Sequence, residues 1–379
     1  MELATTLTGQ TVQNRVREIG INANHWYAVA WAKELHPNQI LPIRLWNQEI
    51  ALYRDSQGIV QAVEDICPHK GVALHKGKVQ GDAIVCPYHG WEFEAGQCTK
   101  IPYFPPEQKL PRACVKTFPV RERYGIIFIF PGDPTLADQV PMIDIPQYGD
   151  PDWLMVTIGA EFQAHYTICN ENTMDVFHGY LHENLQGWFD PVLLKLQETQ
   201  DTVRADYRVS YEGPMTKFLG LNETSKVTTR TISVNYQYPN YINSLEGISF
   251  LYLMRLPISP QESRSFSLMF VKVRIPRWLT EPLRPVLEPV IRNLFFMRFL
   301  RQDIEMIESE YAHYISDRQR RYVEVNPAII AVQRLMVRQY EQYIHSPSHS
   351  PSHFPSHSPS APSANGASTE KPAAIPESI

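Results

Sequence analysis

The chain lacks several features that would have fixed its class quickly. It has no excess of basic charge: 35 Lys and Arg stand against 40 Asp and Glu, with a net charge of −5 and a pI of about 6.2. That excludes the electrostatic footprint of a nucleic-acid binder. Met1 to Gly20 contains no apolar h-region, so no signal peptide is expected. No apolar run reaches the length of a membrane span; the richest stretch near the C-terminus, Asn293 to Leu300, is short and punctuated by arginine. Neither a G-x-G-x-x-G fingerprint nor a flavin motif occurs, which removes nicotinamide handling from this chain. Cysteine is scarce, five residues with no framework spacing, as in a reducing compartment. The expectation is a soluble cytoplasmic protein.

What is there divides into four regions. Residues 1–20 are polar and read as an arm or a short docking helix. Residues 21–150 hold short runs rich in β-branched and aromatic residues: Leu41 to Trp46, Glu49 to Tyr53, Ile59 to Glu64, Ala83 to Cys86 and Gly125 to Phe130. Turn residues such as Asp55-Ser56-Gln57-Gly58 bound them, which predicts a small all-β domain. Residues 151–345 open with a strand-like run, Leu154 to Thr167. Long alternating stretches follow at Thr202 to Glu212, Lys226 to Tyr238, Ile248 to Leu256 and Ser265 to Arg274, predicting a large antiparallel sheet. From Thr280 to His345 the period is helical. Strands and helices are segregated, so the class is α+β rather than doubly wound. Residues 346–379 are Ser, Pro and His, from which no core can form, and are expected to be disordered. His349, His353 and His357 recur there every fourth residue, but the prolines between them forbid a helix that would gather them.

The richest chemistry lies between Cys67 and His89. Cys67-Pro68-His69 is followed, after sixteen intervening residues, by Cys86-Pro87-Tyr88-His89-Gly90-Trp91. Four soft or borderline ligands in two strand-end clusters would suit zinc, but zinc pairs usually leave two to four residues between partners, and the first pair here leaves one. Cys-x-His with Cys-x2-His resembles the Rieske [2Fe–2S] signature. The resemblance implies that Cys67 and Cys86 bind one iron and that His69 and His89 bind the other. Gly71 would relieve the tight loop after the first pair.

About ninety residues on comes Asp175-x2-His178-x3-His182. On a helix these are i, i+3 and i+7, one stripe that Asn172 extends upstream, beside an apolar stripe of Met174, Phe177 and Leu181. Buried imidazoles and a carboxylate need partners, and a metal supplies them. Order and spacing together resemble the Rieske non-heme iron oxygenases. That resemblance makes His178 and His182 ligands of a mononuclear Fe(II). It makes Asp175 the bridge between this iron and the cluster ligand His89 of a neighbouring subunit. Most of the family leaves four residues between the two histidines, whereas Gly179-Tyr180-Leu181 is three, as in the carbazole-type members. The third ligand should be a distant carboxylate. Asp303 has Phe296, Phe299, Leu300 and Ile307 as helical neighbours and so lies on an apolar face, whereas Glu305 lies among Arg298, Arg301, Gln302 and Glu308. Asp303 is therefore expected, with Glu310 as the alternative.

The resemblance implies a terminal oxygenase of the α-only type. It would use O2 and electrons from a separate reductase or ferredoxin to hydroxylate, demethylate or desaturate a hydrophobic ring-bearing small molecule. It also implies a homotrimer. A different reading stays open: a Rieske electron carrier whose second domain is not catalytic. Iron content separates the two, at three irons per chain against two.

Overall fold

The computed structural model describes residues 12–182, 188–211, 228–272, 288–320 and 322–346. The Ser/Pro/His tail from 347 onward, with His349, His353 and His357, lies outside them.

The first part of the chain is built from ten short strands: β1 (Tyr27–Trp31), β2 (Ile40–Leu45), β3 (Gln48–Arg54), β4 (Val60–Glu64) and β5 (Lys78–Gln80). They continue with β6 (Ala83–Val85), β7 (Glu92–Glu94), β8 (Gln97–Lys100), β9 (Val120–Arg123) and β10 (Ile126–Ile129). They form three antiparallel sheets, ordered β1-β10-β9, β2-β3-β4 and β5-β6-β7-β8. The β2–β3 hairpin closes through Trp46-Asn47, both at positive φ (48° and 64°) as a two-residue turn matched to strand twist requires. This turn also docks the second part of the chain: the amides of Trp46 and Asn47 donate to the carbonyls of Pro257 and Ile258, at 2.8 and 2.9 Å.

The second part is a seven-stranded antiparallel sheet. Its strands are β11 (Trp153–Phe162), β12 (Trp188–Glu198), β13 (Thr202–Tyr211), β14 (Thr228–Gln237), β15 (Asn240–Leu245), β16 (Ser249–Ser259) and β17 (Glu262–Lys272). Their order is β11-β17-β16-β15-β14-β13-β12. Period-two alternation fixes its register. In β13, Val203, Ala205, Tyr207, Val209 and Tyr211 are all buried, while Arg204 and Arg208 face solvent.

Helices cover one face. α1 (Val12–Arg15) belongs to the N-terminal arm, which is docked over residues 14–20: Val16 and Ile19 are buried, and Arg17 pairs with Glu171 and Glu310. Three residues separate the end of β11 from the start of α2 (Tyr166–Met174), so the strand-like run read as far as Thr167 is too long. His165 turns the chain there by accepting the Thr167 amide as an N-cap. α3 (Met297–Ser316) follows a π turn at Arg292–Phe296, and α4 (Pro327–Ile344) starts with Asn326 as N-cap and Pro327 in its first turn.

The single helix expected through Asp175, His178 and His182 is not formed. α2 stops at Met174, and Asp175 is its C-cap in an extended conformation, φ −82° and ψ 106°. The chain then winds through 3-10 turns over Phe177–His182. Two bonds onto Asp175 Oδ1 stabilise this break, from the Phe177 amide at 3.0 Å and from Asn326 Nδ2 at 2.9 Å. The apolar stripe expected beside the histidines is correspondingly broken: Met174 is buried but Phe177 is 39% exposed.

Candidate metal centres

The two cysteine loops are built alike. Each cysteine amide donates to the carbonyl five residues on, Cys67 to Val72 at 2.9 Å and Cys86 to Trp91 at 2.8 Å. Each cysteine carbonyl accepts the amide of a glycine four residues on, from Gly71 at 2.8 Å and Gly90 at 3.1 Å. Both glycines sit at positive φ, 69° and 68°, which a side chain disfavours. The base of the first loop is held by buried Asp65, which accepts the His75 amide and pairs with the His75 ring. The result places Cys67 and Cys86 side by side in the interior and His69 and His89 at the surface, ring centroids 4.6 Å apart. Trp91 stacks flat on His69 at 4.6 Å and 7°, fixing the ring plane.

Burial pushes the Cys67 thiol up to about 11, and the adjacent Cys86 adds to this, against the opposing amides of His69 and Lys70. Such a thiol becomes a thiolate near neutral pH only if a metal takes the proton's place. Two buried sulfurs beside two outward imidazoles, with the backbone turned around both loops, fit a [2Fe–2S] cluster held from one side.

The second centre gathers the ligand atoms of His178, His182 and Asp303 within 4.8 Å of one another. His182 Nε2 is 3.1 Å and His178 Nε2 3.7 Å from Asp303 Oδ1. His182 is buried, and its Nδ1 faces Gln302 Oε1 at 2.9 Å. A proton on Nδ1 donated to that carbonyl leaves Nε2 with a bare lone pair opposite a carboxylate, an arrangement that demands a cation. Without a cation, a proton on His182 Nε2 bridges to Asp303 instead. Burial lowers the His178 pKa and keeps it neutral, the form that ligates. Burial also disfavours charged His182, but its bond to Asp303 outweighs this and raises it. Asn172 Nδ2 reaches Asp303 Oδ1 at 3.5 Å from the end of α2. The donor set fits a mononuclear iron, two imidazoles and one carboxylate with other positions open. Glu310 lies elsewhere: its carboxylate is bound by Arg17 at 3.0 Å.

His178 and Asp303 line a cavity of about 360 Å³ between the sheet and helices α2 and α3. Phe296, Phe299, Leu300 and Ile307, the helical neighbours named for Asp303, all line it. Sequence reasoning missed three contributors: Gln302 as the holder of His182, Asn326 as the partner of Asp175, and Trp188, whose ring lies 5.9 Å from His182 and 6.2 Å from His178. Gln302 stood beside Asp303 in the motif, but nothing in the sequence signals the other two.

A cysteine–histidine domain followed by a sheet domain with a two-histidine, one-carboxylate centre defines an oxygenase of the Rieske type. Comparison with known proteins agrees: residues 25–119 match the Rieske [2Fe-2S] domain, and residues 162–345 match the vanillate O-demethylase oxygenase C-terminal domain. The 4beta-methylsterol monooxygenase of Methylococcus capsulatus is 33% identical over 343 residues, 88% of this chain and 92% of that protein. The oxygenase component of dicamba O-demethylase from Stenotrophomonas maltophilia is 36% identical over 162 residues, 42% of this chain and 47% of that one. In fold, the crystal structure of dicamba monooxygenase with 3,6-dichlorosalicylic acid superposes with a TM-score of 0.73 at 22% identity, over 86% of this chain and all of that one. The chain belongs to the Rieske non-heme iron oxygenases and is an enzyme of that family. Among the described residues no helix is long and apolar enough to cross a membrane.

Proposed function

We propose that this chain is the terminal oxygenase of a multicomponent system, with Cys67, His69, Cys86 and His89 holding the cluster and His178, His182 and Asp303 holding the mononuclear iron. The observation that carries this is the convergence of the three ligand atoms beside a largely apolar cavity that His178 and Asp303 line. The iron, when bound, supplies O2 activation, and the cluster supplies an electron. The residues do the rest. Gln302 orients His182, the C-cap at Asp175 sets the turn that carries His178, and the cavity wall excludes water from the reacting carbon. Asp175 is the electron bridge to His89 of the partner subunit in a homotrimer; the two bonds to its carboxylate among the described residues both fall on Oδ1. Electrons come from a separate reductase or ferredoxin, and the protein works in the cytoplasm. Residues 21–150 form the cluster domain and 151–345 the catalytic domain.

The favoured substrate class is a methyl-bearing polycyclic molecule of the sterol kind, oxidised at a methyl group. Support comes from the relative that matches nearly end to end, the methylsterol monooxygenase, and from a cavity floor that runs along the strands.

Iron and acid-labile sulfide on anaerobically purified protein test the assignment. Three irons and two sulfides per chain are expected. Two irons and two sulfides, with no further Fe(II) taken up on addition, would leave an electron carrier instead.

A further inference from the structure

The cavity floor has a polarity that neither metal centre uses. Inward positions of β16 and β17 pair as Arg255 with Ser265, Leu253 with Ser267, Leu251 with Met269 and Ser249 with Val271. All eight line the cavity. From Arg255 to Ser249 the floor spans six residues, about 20 Å at the rise of a strand. With a volume of about 360 Å³, the cavity is a slot along the strands. Its middle is mostly apolar, and one end, under α2, is formed by Arg255 and Ser265.

Arg255 is an unusual residue to find there. It is 3% exposed and belongs to no ion pair among the described residues. Nη2 donates to the Cys169 carbonyl at 3.0 Å and to Thr173 Oγ1 at 3.1 Å, Nε faces Asn170 Oδ1 at 3.5 Å, and the guanidinium lies over Phe162. Nη1 is buried and has no hydrogen-bond partner among the described residues. A buried guanidinium with an unused N–H costs more than a neutral donor in the same place. Burial lowers its pKa, and the charge of Asp303 is among the groups that act against this. In the proposed centre that charge is shared with iron, so the need for an acceptor grows when the enzyme is loaded.

We propose that Arg255 is the specificity-determining contact for an oxygen substituent of the substrate, a hydroxyl, carbonyl or carboxylate, at the end of the molecule held nearest the iron. The inference rests on the oxygenase reading and deepens it: the ligand is long, apolar and ring-bearing, with an oxygen acceptor at one end and an apolar remainder along Leu253, Leu251 and Met269. The three bonds from Nη2 and Nε hold Arg255 to α2, which also carries Asn172 beside Asp303. An acceptor bound at Arg255 is thereby placed in register with the metal.

Calorimetric binding to the iron-loaded holoenzyme tests this without turnover. The probes are a 3-hydroxysteroid, the same steroid without its oxygen, and a steroid carboxylic acid. A second matched set is a chlorinated benzoate and the corresponding chlorobenzene. Arg255→Met and Arg255→Lys are compared with the unmodified enzyme, with iron content and thermal midpoint as controls for folding. Expected is a preference of about tenfold or more for the oxygenated member of a set, lost in Arg255→Met and partly kept in Arg255→Lys. The carboxylate arm separates an anion site from a neutral acceptor site. An equal preference in Arg255→Met and in the unmodified enzyme overturns the assignment, as does absence of any preference in the unmodified enzyme. If no steroid binds but the benzoate preference depends on Arg255, the sterol reading fails and this one stands. If Arg255→Met does not fold, a reduced preference in Arg255→Lys, with binding of the deoxygenated probe unchanged, counts for the contact, and an unchanged preference counts against it. Loss of oxygenated and deoxygenated binding alike in that variant counts against a specific one.

Discussion

Gly179 and Trp188 pack so closely that a Cβ on Gly179 would stand 1.6 Å from Trp188 Nε1. Gly179 follows directly after His178, and the indole it admits lies against both His178 and His182. From the sequence alone this glycine reads as a weak point in a helix. In the fold it is the gap that lets an aromatic wall close over the 3-10 turns.

Gly179→Ala should therefore displace the indole or unwind the turn. Overpacking of this kind costs typically about 1–3 kcal/mol, and here the strain falls between His178 and His182. The expected outcome is a lower thermal midpoint and less than one mononuclear iron per chain, with the visible spectrum of the cluster unchanged. Full iron occupancy at an unchanged midpoint would show that the segment yields freely.

Asp303→Ala should remove the mononuclear iron and leave the cluster in place. Glu310→Gln should keep both metals, because Glu310 answers Arg17 rather than the histidines. Metal analysis on the two variants side by side decides the matter, and iron loss from Glu310→Gln alone would reverse the assignment.

Asp175→Asn is a clean probe of the bridge. The two bonds to the Asp175 side chain fall on Oδ1, and an asparagine carbonyl can accept both. The fold and metal content should persist while turnover falls by orders of magnitude. A reduced cluster that still delivers its electron at the normal rate, in a single-turnover measurement, would take Asp175 out of the electron path.

The candidate ligand residues were legible in the sequence because their chemistry is local. Cys67-x-His69 and Cys86-x2-His89 sit on two tight loops whose glycines the motif already contains, and Asp303 stands out as a carboxylate on an apolar helix face. The antiparallel sheet was legible from period-two alternation, although β12 and β15 were not. β12 has exposed residues on both faces near the sheet edge, and β15 is six residues long. The break at Asp175 was not legible. It depends on Asn326, the cap of a helix 151 residues further on. Docking of the N-terminal arm was equally hidden, since Arg17 looks like any surface arginine until Glu171 is placed opposite it. The same holds for Arg255, whose burial follows from β16 being central in the sheet. Its neighbours on the strand do not predict it.

A last expectation concerns acid. His165 caps α2 from a buried position, and burial pushes its pKa down to about 3, with the Arg17 charge acting in the same direction. Burial likewise lowers His25 to about 4, against its bond to Gln339 and the charge of Asp201. Both are depressed below the unfolded value near 6.5, so the unfolded chain binds these protons first and stability falls as pH drops. The loss begins near pH 6.5 and continues toward about pH 4 for His25 and about pH 3 for His165, with each histidine contributing on the order of 2 kcal/mol by pH 5. Urea unfolding at pH 7.5 and pH 5.5 should show a marked fall in the midpoint. His165→Asn keeps an N-cap acceptor without a titrating ring, and it should reduce that fall by roughly half. An unchanged pH dependence in the variant would place the acid sensitivity in other groups.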